Sequence, residues 1–295
     1  MTFDKVKKYG PLMAFWLLGI IWGSNFIYMK YATEYISSTQ VVLLRVVLSV
    51  IPIAVYAFFT RSIKKEHIRY VHHFLVMSLL ATVIYYFCFV KGASLLYSGI
   101  AGALSGSAPL FTFILGMIFL KDEKSSVAKI AGIILGAVGI ILLAKPFNAE
   151  ITPTTWLGIG YMIAGSLSFG ASFIYTKRFI SPLKIAGEAL VTYQLLGAAI
   201  ILLCITDFNG IGRILQSTQA ALGLFIGLGL LGTGLAYLIY YYIIDSFGAV
   251  KASSVAYIPP VVALMIGALR VREPITLLDA TATLLILFGV WLLKK

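Results

Sequence analysis

Apolar residues run through this chain in long stretches, interrupted by short clusters of charged residues, prolines and polar residues. A helix needs about 20 mostly apolar residues to cross hydrocarbon. Cutting the chain at its polar clusters on that criterion predicts ten such helices, near 12–30, 38–59, 74–93, 98–120, 127–144, 155–176, 186–206, 219–244, 249–269 and 275–293. The connections are mostly short and carry the charges, as in TRSIKKEHIRY after the second helix and KDEKSS after the fourth, and no soluble domain or long linker is left over. The first apolar run follows Lys5, Lys7 and Lys8, as in a signal peptide. It is too long for that role, holds Trp22 and Asn25 and lacks a small-x-small cleavage site, so it reads as a retained span.

The pattern repeats. A shift of 147 residues lays WGSNFIYMK at Trp22 to Lys30 on FGASFIYTK at Phe169 to Lys177, while a shift of 150 lays SAPLFTFILGMIFLKDE on YIPPVVALMIGALRVRE. The second alignment superposes Pro109 on Pro259 and Glu123 on Glu273, and carries GIILL at Gly139 onto GVWLL at Gly289. Internal repetition at this length marks a duplicated architecture. The expected domains are residues 1–146 and 147–295, each with five helices. Because five is odd, loops that alternate sides place the second half upside down relative to the first.

Composition agrees. Hydrophobic residues fill 60% of 295 positions and charged residues 12%, against about 45–50% and about 25% in soluble domains. The 23 Lys and Arg against 11 Asp and Glu read as the basic bias of cytoplasmic loops in a membrane protein, with nothing else favouring nucleic acid. With the N-terminus inside, sixteen Lys and Arg fall on inner segments and six on outer ones, and Arg45 stays within a span. Both termini are therefore expected in the cytoplasm, with Lys30 and Lys177 at opposite faces. Cys88 and Cys204 lie in apolar runs and read as small core or lipid-facing residues rather than a disulfide.

The IWGSNF start of the first helix, LLR at Leu43 to Arg45, and the SAPLF…KDE and YIPPV…VREP blocks resemble the EamA-type members of the drug/metabolite transporter superfamily. The resemblance covers nearly the whole chain. It implies an all-α integral membrane protein of ten transmembrane helices in two inverted five-helix repeats, and an activity moving small metabolites, often exporting amino acids or related compounds.

In inverted-repeat transporters the substrate sits near the midplane, where interrupted helices expose polar backbone. Pro109 lies about midway along the fourth predicted helix and the pair Pro259 and Pro260 about midway along the ninth. Each proline removes a backbone donor and disturbs the carbonyl four residues earlier, marking helix breaks or hinges near Ser105 and near Val255 and Ala256. Clustered Gly and Ser residues on these helices also fit plain close packing. Asn25 and Gln194 are intramembrane amides for which interhelical bonding and substrate binding are both open, and mid-span tyrosine hydroxyls need partners. The expected cavity lining is Trp22, Asn25, Tyr85, Tyr86, Ser105, Tyr237 and Tyr257, with core packing as the competing account.

Charged side chains within spans are expensive there. Arg45 is placed to bind a carboxylate or to anchor its helix at the interface, and Glu188 to favour a helix start or to carry a proton. Asp279, Glu123 and Glu273 read as helix-start and interface residues, and Phe26-Ile27-Tyr28 and Phe173-Ile174-Tyr175 as paired interfacial anchors with Lys30 and Lys177 reaching water. No Asp, Glu or His falls at the midplane of a predicted helix, which favours facilitated diffusion or exchange over direct proton coupling. The expected function is a secondary transporter of neutral or aromatic amino acids working by alternating access in the cytoplasmic (inner) membrane, probing no enzyme chemistry and needing neither cofactor nor metal. The alternatives are a proton-coupled exporter of other metabolites or drugs, and a non-transporting receptor or assembly partner using Gly132-x-x-x-Gly136 and Gly223-x-x-x-Gly227. The implied partners are a small-molecule substrate and the lipid bilayer, with a homodimer left open and nucleic acid not expected.

Overall fold

A computed structural model describes residues 3–120, 126–144, 153–247 and 253–292. Glu123, Lys121, Lys124, Lys145, Lys251, Lys294 and Lys295 lie outside the described residues. Among the described residues the secondary structure is helical, without strands. The helices are α1 Phe3–Thr33, α2 Ser38–Phe59, α3 Lys65–Leu95, α4 Ser98–Ser105, α5 Ala108–Phe119, α6 Val127–Ala144, α7 Pro153–Tyr175 and α8 Gly187–Ile205. They are followed by α9, built from Thr218–Leu222, a π-helical stretch Gly223–Leu235 and Ala236–Phe247, then α10 Ile258–Leu269 and α11 Leu277–Leu292.

Among the described residues, seven helical segments are long and apolar enough to cross a membrane: Gly10–Thr33, Ser38–Phe59, Lys65–Leu95, Ser98–Phe119, Thr154–Leu183, Gly187–Ile205 and Thr218–Tyr240. Val127–Leu143, Val255–Leu269 and Leu277–Leu292 are shorter apolar helices. Helices suit such a solvent because they satisfy their own backbone groups. Large apolar side chains face outward, with Phe58, Phe59 and Leu269 respectively 73%, 78% and 76% exposed, an arrangement that hydrocarbon favours and water penalises.

Local chemistry sets the helix ends. Ser37 caps α2 in a reciprocal box with Gln40, whose Nε2 also donates to the carbonyls of Asp207 and Asn209 at 2.7 and 2.9 Å. Thr276 and Asp279 form the matching arrangement at the start of α11, with Asp279 Oδ2 accepting from Thr276 N and Oγ1 at 2.8 and 2.7 Å. This agrees with the helix-start reading of Asp279.

Helix interruptions lie beside the prolines. After α4 ends at Ser105 the chain turns through Gly106 and Ser107, and α5 restarts with Pro109 in its first turn. A 3₁₀ turn Ser253–Tyr257 precedes α10, which starts with Pro259 and Pro260. Proline suits a first turn because the missing N–H has no partner there in any case. The two breaks face each other: a Cβ on Gly106 would stand 3.0 Å from Pro260 Cγ.

Two glycine faces are occupied within the chain. A Cβ on Gly289 of α11 would stand 2.5 Å from the Gly132 carbonyl oxygen and 2.8 Å from Gly136 N, so α6 and α11 meet backbone to backbone. Gly223 and Gly227 seat the ring of Tyr28. Small residues here serve internal packing.

The interfacial-anchor reading of Phe26-Ile27-Tyr28 needs correction. Phe26 and Ile27 are buried and Tyr28 packs on α9, because α1 is enclosed by α9, α10 and α3. In the second copy Phe173 is exposed, but Tyr175 OH meets His73 Nδ1 at 2.7 Å.

Candidate functional site

The buried polar centre is built on α2. Arg45 is only 3% exposed, enclosed by the neighbouring helices. Its Nε donates to Thr233 Oγ1 at 2.8 Å, and its guanidinium carbon lies 3.9 Å from the centroid of the Tyr86 ring. The Thr233 hydroxyl in turn donates to the Leu228 carbonyl at 3.0 Å. Arg45 thereby ties α2 to α3 and to the π-helical stretch of α9. Guanidinium over an aromatic face is favourable by roughly 0.5–2 kcal/mol, more when desolvated.

Asn25 of α1 reaches the same stretch of α9. It is 4% exposed and lies against Gly232, where a Cβ would collide with its amide. Asn25 and Arg45 therefore meet neighbouring residues, Gly232 and Thr233, of one helix. The other intramembrane amide behaves differently. Gln194 Nε2 donates to Thr82 Oγ1 at 2.8 Å, an interhelical bond between α8 and α3.

An aromatic group adjoins Tyr86. Tyr85 lies 4.9 Å from Tyr86, 4.5 Å from Phe89 and 4.5 Å from Phe169, stacked on the last at 18°. Phe169 comes from α7, so this group joins the two copies of the repeat.

The expected lining residues fall in more than one packing cluster. Asn25, Tyr85, Tyr86 and Tyr237 belong to or pack on one buried cluster or its polar edge, whereas Trp22 packs in another, with Leu18, Val255 and Ile258, and meets Tyr240 at 5.8 Å. Ser105 donates to its own helix at the Gly102 carbonyl, 2.6 Å, and Tyr257 is half-buried just before the α10 break. Two clefts of 270 and 450 Å³ lie elsewhere, around Thr33 to Gln40 at the α1–α2 connection, and none of the seven expected lining residues borders them. Glu188 is half-buried in the first turn of α8, as a helix-start acid would be.

A second polar cluster sits at one end of the bundle and is absent from the sequence expectations. The Glu273 carboxylate accepts from Ser98 N, Ser98 Oγ and Gly99 N at 2.8, 2.9 and 3.0 Å, and from Lys30 Nζ at 3.4 Å. Lys30 also donates to the Leu96 carbonyl at 3.0 Å. The carboxylate caps the N-terminus of α4, where free N–H groups and the helix dipole favour a negative charge. Arg272, at a φ of 58°, turns the chain so that Glu273 can fold back, its own N–H bonded to the Gly267 carbonyl at 2.9 Å. Lys30, with 26% of its side chain exposed, thus enters an ion pair at the edge of the bundle. The available signal was the repetition of both Lys30 and Glu273 in the other half; each was visible, but their pairing across the halves was not.

An apolar exterior, helices broken at facing prolines and a buried polar centre define a multi-pass membrane protein of the transporter class. The EamA-like transporter family model matches twice, over residues 9–145 and 156–294, and the chain belongs to that family, within the drug/metabolite transporters. It is 26% identical over 276 residues to "Uncharacterized transporter YoaV" of Bacillus subtilis (strain 168), covering 92% of each chain. It is 30% identical over 196 residues to "Uncharacterized inner membrane transporter YedA" of Escherichia coli (strain K12), covering 65% of this chain and 60% of that one. A solved crystal structure shares the fold with a TM-score of 0.63 at 18% identity, covering 94% of both chains.

Proposed function

We propose that this membrane transporter moves neutral or aromatic amino acids by alternating access, as facilitated diffusion or exchange in the direction of export. The observation that carries this reading is the buried polar centre where α1, α2, α3 and α9 meet: Arg45, Asn25 and Thr233 next to the aromatic group of Tyr85, Tyr86 and Phe169. Such a setting offers polar contacts to a small head group and aromatic faces to a side chain. Interrupted helices at a repeat interface are where inverted-repeat transporters bind substrate.

On this reading ten helices cross the inner membrane, the two five-helix repeats are inverted, and both termini are cytoplasmic. The Lys30–Glu273 cluster then closes the outer end. Rocking of one repeat against the other breaks this cluster as the outer end opens. The receptor or assembly reading loses support because the glycine faces it would use are occupied inside the chain.

The test is a transport panel of amino acids, other metabolites and cationic drugs in proteoliposomes, with and without a pH gradient. Movement of neutral or aromatic amino acids without a gradient is expected. Movement of multivalent cations alone would overturn the substrate, and strict dependence on the gradient would overturn the mechanism.

A further inference from the structure

Among the described residues, two buried polar atoms at the centre lack a hydrogen-bond partner: Arg45 Nη1 and Asn25 Oδ1. Their side chains are 3% and 4% exposed and lie against successive residues of α9, Thr233 and Gly232. One atom is a cationic donor and the other a neutral acceptor. Arg45 also forms no ion pair among the described residues, so its charge is met only by the Tyr86 ring and the Thr233 hydroxyl. A buried guanidinium without a carboxylate is expensive, and a half-satisfied polar network is less favourable than an apolar core. Both atoms would be satisfied by a ligand that brings an anionic acceptor to one and a donor to the other.

We propose that Arg45 and Asn25 form the head-group site for an α-amino acid, with Arg45 Nη1–H donating to the α-carboxylate and Asn25 Oδ1 accepting from the α-ammonium group. The inference rests on the amino-acid transport reading above and adds to it the residues that recognise the head group. The carboxylate supplies the counter-charge that Arg45 lacks. Tyr86 holds the guanidinium from one face, and the neighbouring stack of Tyr85 on Phe169 receives the substrate's side chain. The π-helical stretch of α9 fits this role, since such departures from α-geometry recur at functional sites.

Three probes of similar shape separate the contacts: phenylalanine, 2-phenylethylamine without the carboxylate, and 3-phenylpropionate without the ammonium group. Wild-type protein in proteoliposomes is expected to move phenylalanine about tenfold faster or more than either analogue, since a site built for a polar group rejects ligands lacking it. Arg45→Gln is expected to abolish the preference over 2-phenylethylamine, and Arg45→Lys to restore part of it. Asn25→Leu is expected to abolish the preference over 3-phenylpropionate. Equal wild-type rates for phenylalanine and 2-phenylethylamine would overturn the head-group site while leaving amino-acid transport standing. Equal loss of all three probes in Arg45→Gln, with a lower melting temperature, would assign Arg45 a purely structural role. A wild-type protein that moves no amino acid overturns the transport reading and the site with it.

Discussion

Arg45 stands where α1, α2, α3 and α9 converge, and its surroundings make its neighbours sensitive to small changes. Thr233→Val keeps the shape of the side chain but leaves Arg45 Nε without its 2.8 Å acceptor. Loss of a buried partner of a charged group costs about 1–3 kcal/mol, so thermal denaturation in detergent should show a clear fall in stability. Tyr86→Leu removes the ring 3.9 Å from the guanidinium and is expected to cost roughly 0.5–2 kcal/mol beyond the lost packing. The double variant should lose less than the sum, because both substitutions strip the same cation. Additive losses would show that Arg45 is not the shared partner.

At the scale of the elements, the broken helices and the π-helical stretch of α9 separate the center from an ordinary bundle. Replacing Pro109, Pro259 and Pro260 together by Ala restores three backbone donors and lets α4–α5 and the turn before α10 continue as helix. The expected result is unchanged or slightly higher helical content by circular dichroism, with transport slower by on the order of tenfold because the breaks no longer yield during closure. Unaltered transport would show that the breaks are not hinges. The turns after Ser105 and before Ile258 lie beside prolines, which act locally, and among the described residues seven of the ten expected spans are helices long and apolar enough to cross hydrocarbon. The π-helical stretches at Leu79–Val83 and Gly223–Leu235 were not legible in the sequence. In segments apolar on every side, such as GLGLLGTGL, no alternation of polar and apolar positions reports the helical period. The burial of Arg45 was equally hidden, since it depends on which helices surround α2.

For the whole molecule, the duplicated Lys and Glu carry the account of how two halves alternate. Glu273 and Lys30 tie the start of α4, the end of α1 and the connection after α10 at one end of the bundle. Lys30→Cys with Glu273→Cys, bridged by a short thiol-specific crosslinker with a cleavable spacer, is expected to stop transport, and cleavage of the spacer to restore it. A crosslinked protein that transports at the wild-type rate would remove this cluster from the cycle. The sequence displayed both residues and their repeats, but a contact separated by 243 positions becomes visible only when the two halves are assembled.

The central claim, alternating access for amino acids, is tested most directly by counterflow. Proteoliposomes preloaded with unlabelled phenylalanine and diluted into trace labelled phenylalanine, with no ion or pH gradient, should accumulate label transiently above the external concentration. Absence of accumulation for phenylalanine and for every other neutral amino acid, in vesicles shown to contain folded protein, would contradict the account.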